Sequence, residues 1–595
     1  MASTSHSTDY GSPRDQAAGR GPSFAVSLLA LIGLLLVPTL VPAQPSPIRV
    51  GAGGACDHNT ILGALFEAAG NTGLDVIHVA NDQVYEEFLP VASDSLEIIG
   101  GFESCSDSTA SGTTQIFAPT SPGQVVATSG SGAAYTLRLE NLELYGTSMV
   151  ARGGVVEING DYEVMLDNVQ ISDGLANFGG GVYINGADGA ELRTSTSDIV
   201  LISENVAVRG GGGIYCTGGA TVRFMQGAIA NNTANGESTT TQDNAGGGVA
   251  LHNGCQMLSQ AGGFLAGIYG NTLDTVPGIG SAGGGGVAVL SGSLFVAAGS
   301  ADHPALIADN FSASRGGGVY ADGADTQVQL RNSWINANQA ALAGGGLFVS
   351  DAGLAMVRTL QGEACHNTHR CSRLHGNSVL EGGQDHGGAI GINSDAFVQI
   401  GNTFIEQNSA PTASLAIVRG LSTLQFRNVV AANNAGSDEL IRIDNVSEAS
   451  VEWSTLAYND LSTAVISIEH GTLAGSIDLR GSIVWQPAID LVNSDHNATR
   501  SGDCVMAADF TGIPELTRTS SGPPGFVAAD DLRVTPGGEA VDFCDDASIP
   551  TDVDIIGPGR PNDVDLTNEY GPYDLGAYEW RRTFGQLFAD RFEEP

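Results

Sequence analysis

The stretch Gly316-Gly-Gly-Val-Tyr320, followed a short turn later by Val328-Gln-Leu-Arg-Asn332-Ser-Trp-Ile-Asn-Ala-Asn338, decides the reading of the fold. Each glycine in a helix interior would cost about 1 kcal/mol relative to alanine. The same glycines suit a turn where two backbones come close together. The second segment alternates apolar and polar residues, the period-two mark of a strand with one face buried and the other wet.

Both halves recur. Glycine clusters also open Gly179-Gly-Gly-Val-Tyr-Ile184, Gly210-Gly-Gly-Gly-Ile-Tyr215, Gly246-Gly-Gly-Val-Ala-Leu251, Gly283-Gly-Gly-Gly-Val-Ala-Val289, Gly344-Gly-Gly-Leu-Phe-Val349 and Gly387-Gly-Ala-Ile-Gly-Ile392. Their spacing, about 28 to 42 residues, is that of stacked-repeat folds. The strand segment reappears as Val398-Gln-Ile-Gly-Asn402-Thr-Phe-Ile-Glu-Gln-Asn408 and Leu424-Gln-Phe-Arg-Asn428-Val-Val-Ala-Ala-Asn-Asn434, with earlier copies in Leu137-Arg-Leu-Glu-Asn141 and Val164-Met-Leu-Asp-Asn168. Asn tolerates the left-handed backbone of a sharp bend, and stacked Asn amides can bond along a stack. Asn141, Asn168, Asn332, Asn402 and Asn428 are therefore expected to form a structural ladder. A second row, Asn205, Asn232, Asn271, Asn310, Asn338, Asn377 and Asn408, precedes the glycine clusters or their equivalents. A carbohydrate-binding role for one of these amides is the alternative.

This pattern resembles the right-handed parallel β-helix (pectin-lyase-like) superfamily, and its glycine clusters look like the polymorphic-membrane-protein type of repeat. The resemblance covers roughly residues 75–490 and implies an all-β, right-handed parallel β-helix. At the strand spacing of about 4.8 Å, some fifteen coils would make a rod roughly 70 Å long. Such a stack exposes strand edges at both ends, which must be covered. Between Cys56 and Gly70, helical spacing of Ile61, Leu62, Leu65, Phe66 and Ala69 predicts a capping helix near 58–70. Strands are expected at Asp75–Ala80, Tyr85–Leu89 and Ser95–Gly101. We divide the chain into a leader (1–43), a cap with the first coils (44–105), the repeats (106–490), a compositionally distinct C-terminal region (491–580) and a tail (581–595). The C-terminal series ending in Asp574-Leu-Gly-Ala-Tyr-Glu579 resembles the choice-of-anchor region of exported β-helix proteins. The tail segment Leu587-Phe-Ala-Asp-Arg-Phe-Glu593 looks like a short sorting tail.

Over 595 residues there are 65 acidic and 24 basic side chains, and every basic one is Arg. Without lysine there is no P-loop phosphate binding and no Schiff-base catalysis. Without a basic stripe, nucleic acid is not an expected partner. The acidic excess is read first as a solvated coat that keeps the protein soluble, and second as a cation-binding surface. Arg14 and Arg20 precede the apolar run Phe24–Val37, and Val41-Pro42-Ala43 supplies a small-residue cleavage site, the build of a secretory signal peptide. An uncleaved N-terminal anchor is the alternative. Export implies an oxidising compartment, so the eight cysteines are expected to pair as neighbours: Cys56 with Cys105, Cys216 with Cys255, Cys365 with Cys371, and Cys504 with Cys544.

No catalytic constellation stands out. Asp385-His386 places a carboxylate and an imidazole beside a tight turn and is the weak candidate. The glycosidase pattern of the family, with its Asn-Thr-Asp, Asp-Asp, Gly-His-Gly and Arg-Ile-Lys elements, is not reproduced, and its lysine is impossible here. Cys365-His-Asn-Thr-His-Arg-Cys371 with His375 offers metal-ligand types but reads first as a disulfide-closed loop. The acidic run from Asp552-Val-Asp554 to Asp563-Val-Asp565 could hold calcium but lacks a calcium-loop spacing, so a solvated turn is the default. The expectation is an exported, surface-displayed or secreted monomer with a structural, binding or adhesion role toward carbohydrate or cell-envelope components. A polysaccharide lyase or glycoside hydrolase is the alternative, and it would need two carboxylates from successive coils to converge near an Arg.

Overall fold

A single repeat shows how the chain builds the stack. After the glycine turn, Val319–Asp322 forms one strand, Gln327–Arg331 a second, Ser333–Asn336 a third and Gln339–Ala340 a short fourth. The chain then turns at the next glycine cluster and starts again at Leu347–Ser350. Each strand pairs in parallel with its equivalent one repeat on: Val319 with Leu347, Val328 with Ala355, Ile335 with Leu374 and Gln339 with Ser378. A chain that pairs with itself one turn later, in parallel, is a β-helix.

The structure is a computed structural model. It describes residues 46–595 except 72, 131–133, 187–188, 237–244, 261–265, 275–282, 301, 360–371, 381–386, 445, 470–474, 495–497, 514–515, 546–553, 556–559, 561–570 and 581–595. Among the described residues, the strands gather into parallel sheets of 26, 14 and 8 strands plus one antiparallel pair, Phe526–Ala528 with Asp531–Val534. The longest sheet takes two strands from most coils. The fold is thus all-β, as the alternation predicts. The 14-stranded sheet alone spans about 65 Å at the usual strand spacing.

The inward positions are apolar and form one continuous core from Ile48 to Ile513. The glycine clusters let successive turns touch. A Cβ on Gly317 would lie 2.4 Å from the Gly345 carbonyl oxygen and 2.5 Å from that of Gln339, so no side chain fits.

The N-terminal end is closed by α1, Ile61–Ala68. Thr60 Oγ1 accepts from the Gly63 amide at 3.1 Å, and the Glu87 carboxylate accepts from the Ile61 and Leu62 amides. Together they satisfy three of the helix's orphan donors with oxygens, one of them a full negative charge at the positive end of the dipole. Ile61, Ala64, Leu65 and Ala68 are buried, whereas Phe66, expected on the same face, is 73% exposed. It lies on the opposite side of the helix, because the small Ala64 and Ala68 complete the stripe instead. The strands around it are Asp75–Ala80, Tyr85–Glu86, Leu89–Ala92 and Leu96–Phe102.

Parallel pairing continues past residue 490. Asp490–Ser494, Thr499–Ala507 and Leu516–Ser520 add further rungs. Described parts of 526–580 then fold back along the side of the last coils. Phe404, Val430, Ile483 and Met506 face outward there and are covered by Leu532, Val534, Phe543 and Tyr578, among others. The Thr455 hydroxyl accepts from the Ala577 amide at 3.0 Å, and the Gly481 carbonyl from the Gly576 amide at 2.8 Å.

Candidate functional site

The two asparagine rows do different work. Asn141, Asn168, Asn332, Asn402 and Asn428 all have left-handed backbones, with φ between 47° and 55°. Their side chains bond in short runs: Asn168 donates to Asn141 at 2.8 Å and Asn428 to Asn402 at 3.0 Å. The second row is one unbroken ladder of buried amides. Each Nδ2 donates to the next Oδ1 at 2.9–3.0 Å from Asn205 through Asn232, Asn271, Asn310, Asn338, Asn377 and Asn408 to Asn434 and Asn459. The Gln486 Oε1 takes the last backbone donor, from Asn459. In this row the left-handed residue is the one before the Asn, as at Asn231, Asp309, Ala337 and Gln407. The bend and the ladder are therefore carried by separate residues. With its amides already bonded, this row is a seam of the fold.

Disulfides join Cys56 to Cys105, Cys216 to Cys255 and Cys504 to Cys544, with Cα–Cα distances of 5.2, 6.1 and 5.8 Å. They staple the cap to an early rung, two neighbouring coils in mid-rod, and the last coils to the folded-back C-terminal region. Cys365, Cys371, Asp385 and His386 lie outside the described residues, as do the leader, Asp552, Asp563, Asp565 and the tail. His375 is half-buried, and burial followed by the Arg373 charge lowers its pKa. Asp554 is not in a solvated turn: it is 1% exposed and its carboxylate accepts from the Glu579 amide at 3.1 Å. Packing of the C-terminal region against the rod removes it from water. Among the described residues, no three His, Cys, Asp or Glu side chains are grouped as a metal site.

Charged groups do converge on the outer face of the 14-stranded sheet. The strands Ala413–Val418, Ser437–Asp444 and Leu461–Glu469 stack in register. Asp444 and Glu469 occupy equivalent positions, 25 residues apart, as Arg419 stands 25 before Asp444. Arg419 Nε meets Asp444 at 2.5 Å, and Arg442 reaches Asp444 at 3.1 Å, Glu439 at 3.6 Å and Glu469. Glu439 is 4% exposed, and its register partners are Ala413 and Ala464, which offer no donor. Burial, opposed by Arg442 and reinforced by Asp438, Glu469 and Asp444, pushes its carboxyl up to about 7. Two coils thus supply carboxylates and a third adds Arg419, with one acid, Glu439, pushed up to about 7.

The geometry limits what this network can do. Hydrolysis of a glycosidic bond needs two carboxyls flanking open space where the bond can sit. Here the Arg442 guanidinium fills the space between Glu439 and Asp444. An Arg base would need an accessible, unneutralised guanidinium, and Arg442 is shared by three carboxylates. The arrangement is an ion-pair ladder tying three coils.

A second charged knot lies under the C-terminal region. Arg560 and Glu579 are fully buried and 3.5 Å apart, and the Arg560 guanidinium sits 5.2 Å from the centre of the Trp453 ring. Arg560 also donates to the Gly576 carbonyl at 2.6 Å. Asp574 accepts from the Asp542 amide at 2.7 Å, and burial, then the neighbouring Glu579, pushes its carboxyl up to about 8. These groups clamp Arg560 and residues 571–580 to the rod and are closed to solvent. Neither network was nominated from the sequence. The 25-residue spacing of Arg419, Asp444 and Glu469 was the available signal.

No protein-family model matches the chain, and no curated protein matches it.

Proposed function

We propose that the chain is an exported β-helix protein of the pectin-lyase-like architecture, displayed at the cell surface or secreted, whose rod presents its outer faces for binding or adhesion. The observation that carries this reading is the set of three disulfides, spaced from the cap to the last coils. Such bonds form and persist in oxidising compartments outside the cytosol. The apolar run at residues 24–37 supplies the export route, and among the described residues no helix is long and apolar enough to cross a membrane. Expression of the full chain in a bacterial host tests it. Mass analysis is expected to find residues 1–43 removed and the cysteines oxidised in the extracytoplasmic fraction. A reduced chain with an intact N-terminus, retained in the cytoplasm, would contradict it.

A second reading, a carbohydrate-active enzyme, would need Glu439, pushed up to about 7, as its proton donor, with the Arg442 guanidinium displaced from the space beside it. Turnover of polygalacturonate or a neutral glucan by the purified protein, abolished by Glu439→Gln, would establish it. Equal or absent turnover in both proteins would remove it.

A further inference from the structure

The outer face of the longest sheet changes character in mid-rod. Six successive rungs, at 256–260, 294–298, 327–331, 354–358, 397–401 and 423–427, contain no Asp or Glu. The rung before them, 221–224, is also without acids; Glu191 lies two rungs before the first, and Glu448 and Glu452 one rung after the last. In a chain with a net charge of −41, an acid-free surface of this length is an exception. Leu294, Val296, Leu354, Met356 and Phe397 point outward and are half-buried, while glutamines take most outward places on the other rungs.

The charges on this face are guanidinium groups. Arg427 is paired with Glu452 at 2.9 Å. Among the described residues, Arg331 and Arg358 have no carboxylate partner: they stand in register on adjacent rungs, and Arg331 donates to the Gln329 amide oxygen. Like charges directly opposite one another destabilise a sheet. On the next rung Arg358 stands in register with Gly401, which has no side chain to pair with it. Among the described residues, Asp325, Asp351 and Asp395 stand in the turns at the other margin, and Asp302 in a turn at the guanidinium margin.

We propose that this face docks an extended acidic segment of a partner protein, whose carboxylates bind Arg331 and Arg358 while its apolar side chains cover Leu294, Leu354 and Met356. The inference rests on the reading of the rod as a binding protein. Charge complementarity sets the sign: guanidinium pairs bind carboxylates through charge-assisted, bidentate hydrogen bonds. The aliphatic character sets the class, because sugars stack on aromatic rings and this face offers Leu258, Leu294, Val296, Leu354 and Met356 for one Phe. Size sets the form. Six rungs of five residues cover about 25 Å by 17 Å, roughly half the area that each partner gives to a standard protein interface. That fits one extended segment and is too small for a second rod.

The test uses the purified, oxidised protein, so its failure would leave the export reading standing, and a failure of export would not affect it. A fluorescent dodecapeptide of alternating Glu and Leu is titrated at low salt and followed by anisotropy, with a Lys–Leu peptide and polygalacturonate in parallel arms. The Glu–Leu peptide is expected to bind, and Arg331→Gln with Arg358→Gln to weaken it about tenfold or more. Leu354→Glu is expected to weaken it similarly, with unfolding midpoints unchanged. Asp325→Asn, on the far margin, is expected to leave affinity within about twofold. No binding, binding indifferent to the arginines, equal binding of the Lys–Leu peptide, or arginine-dependent binding of polygalacturonate in its place would each overturn the proposal.

Discussion

Asn310 shows what one residue of the buried ladder does. Its Nδ2 donates to Asn338 Oδ1 at 2.9 Å and to the Ile268 carbonyl at 3.0 Å, while its Oδ1 accepts from the Asn271 side chain and backbone, each at 3.0 Å. Removing the amide leaves buried donors on Asn271 and a buried carbonyl without partners. An unsatisfied buried group costs about 1–3 kcal/mol, so Asn310→Ala is expected to lose about 2–4 kcal/mol in denaturant unfolding. Asn168→Ala, on the discontinuous row, should lose under about 1 kcal/mol, because its side-chain bond to Asn141 is solvent-exposed. Glu439 gives the residue-scale pH effect. Its folded pKa, about 7, is above its ordinary 4.5. Below pH 4.5 both folded and unfolded chains hold the proton, and between the two values only the folded chain does. Stability from this group is therefore present at low pH and lost as pH rises toward 7. Comparison of unfolding midpoints at pH 4.5 and 8 should show a loss of about 1–2 kcal/mol that Glu439→Gln abolishes, after discounting for partial solvent access. An identical slope in both proteins would refute the assignment.

At the scale of elements, the glycine turns and the strands were legible for different reasons. Strands such as Gln327–Arg331 announce themselves because a solenoid keeps its inside and outside on strict alternation. The turns announce themselves because Gly317 has no room for a Cβ between Gly345 and Gln339. Gly317→Ala is accordingly expected to cost at least about 3 kcal/mol or to prevent folding, whereas Gly401→Ala, in open space, should change stability by less than about 0.5 kcal/mol. Thermal melts of the two variants distinguish these outcomes. The capping helix was legible in place but not in facing, since Ala64 and Ala68 bury as effectively as a larger residue and leave Phe66 outside. The Glu439 network was not legible. It depends on register shifts between Ala413 and Ala416 and between Ser437 and Glu439, which no period-two count anticipates. Segments around Asp385 and Cys365 lie outside the described residues.

For the whole molecule, the consequence of stacking is that chemistry is set by rows. A position repeated once per coil becomes a stripe along the rod, so a small bias in the sequence becomes a surface. Acid-free segments 26 to 43 residues apart become one face, and single asparagines become a seam. The C-terminal region was harder to read for the same reason: its partner is a stripe. Phe404, Val430, Ile483 and Met506 are apolar on outward positions, and strand alternation alone does not say which segment covers them. Two of the three described disulfides hold the places where stacking is least self-supporting, the cap and the folded-back end, and the third joins neighbouring coils within the rod.

Rung count places every row on the surface of the rod. Thr221 and Glu448 are 227 residues apart in sequence but occupy the same outward column, seven rungs apart through Gln256, Leu294, Gln327, Leu354, Phe397 and Thr423. Nitroxide labels on Thr221→Cys and Glu448→Cys, measured by double electron–electron resonance in the oxidised protein, are expected to give one narrow distribution centred at about 34 Å. A broad distribution, or a centre more than about 10 Å away, would contradict the stack and the binding face built on it.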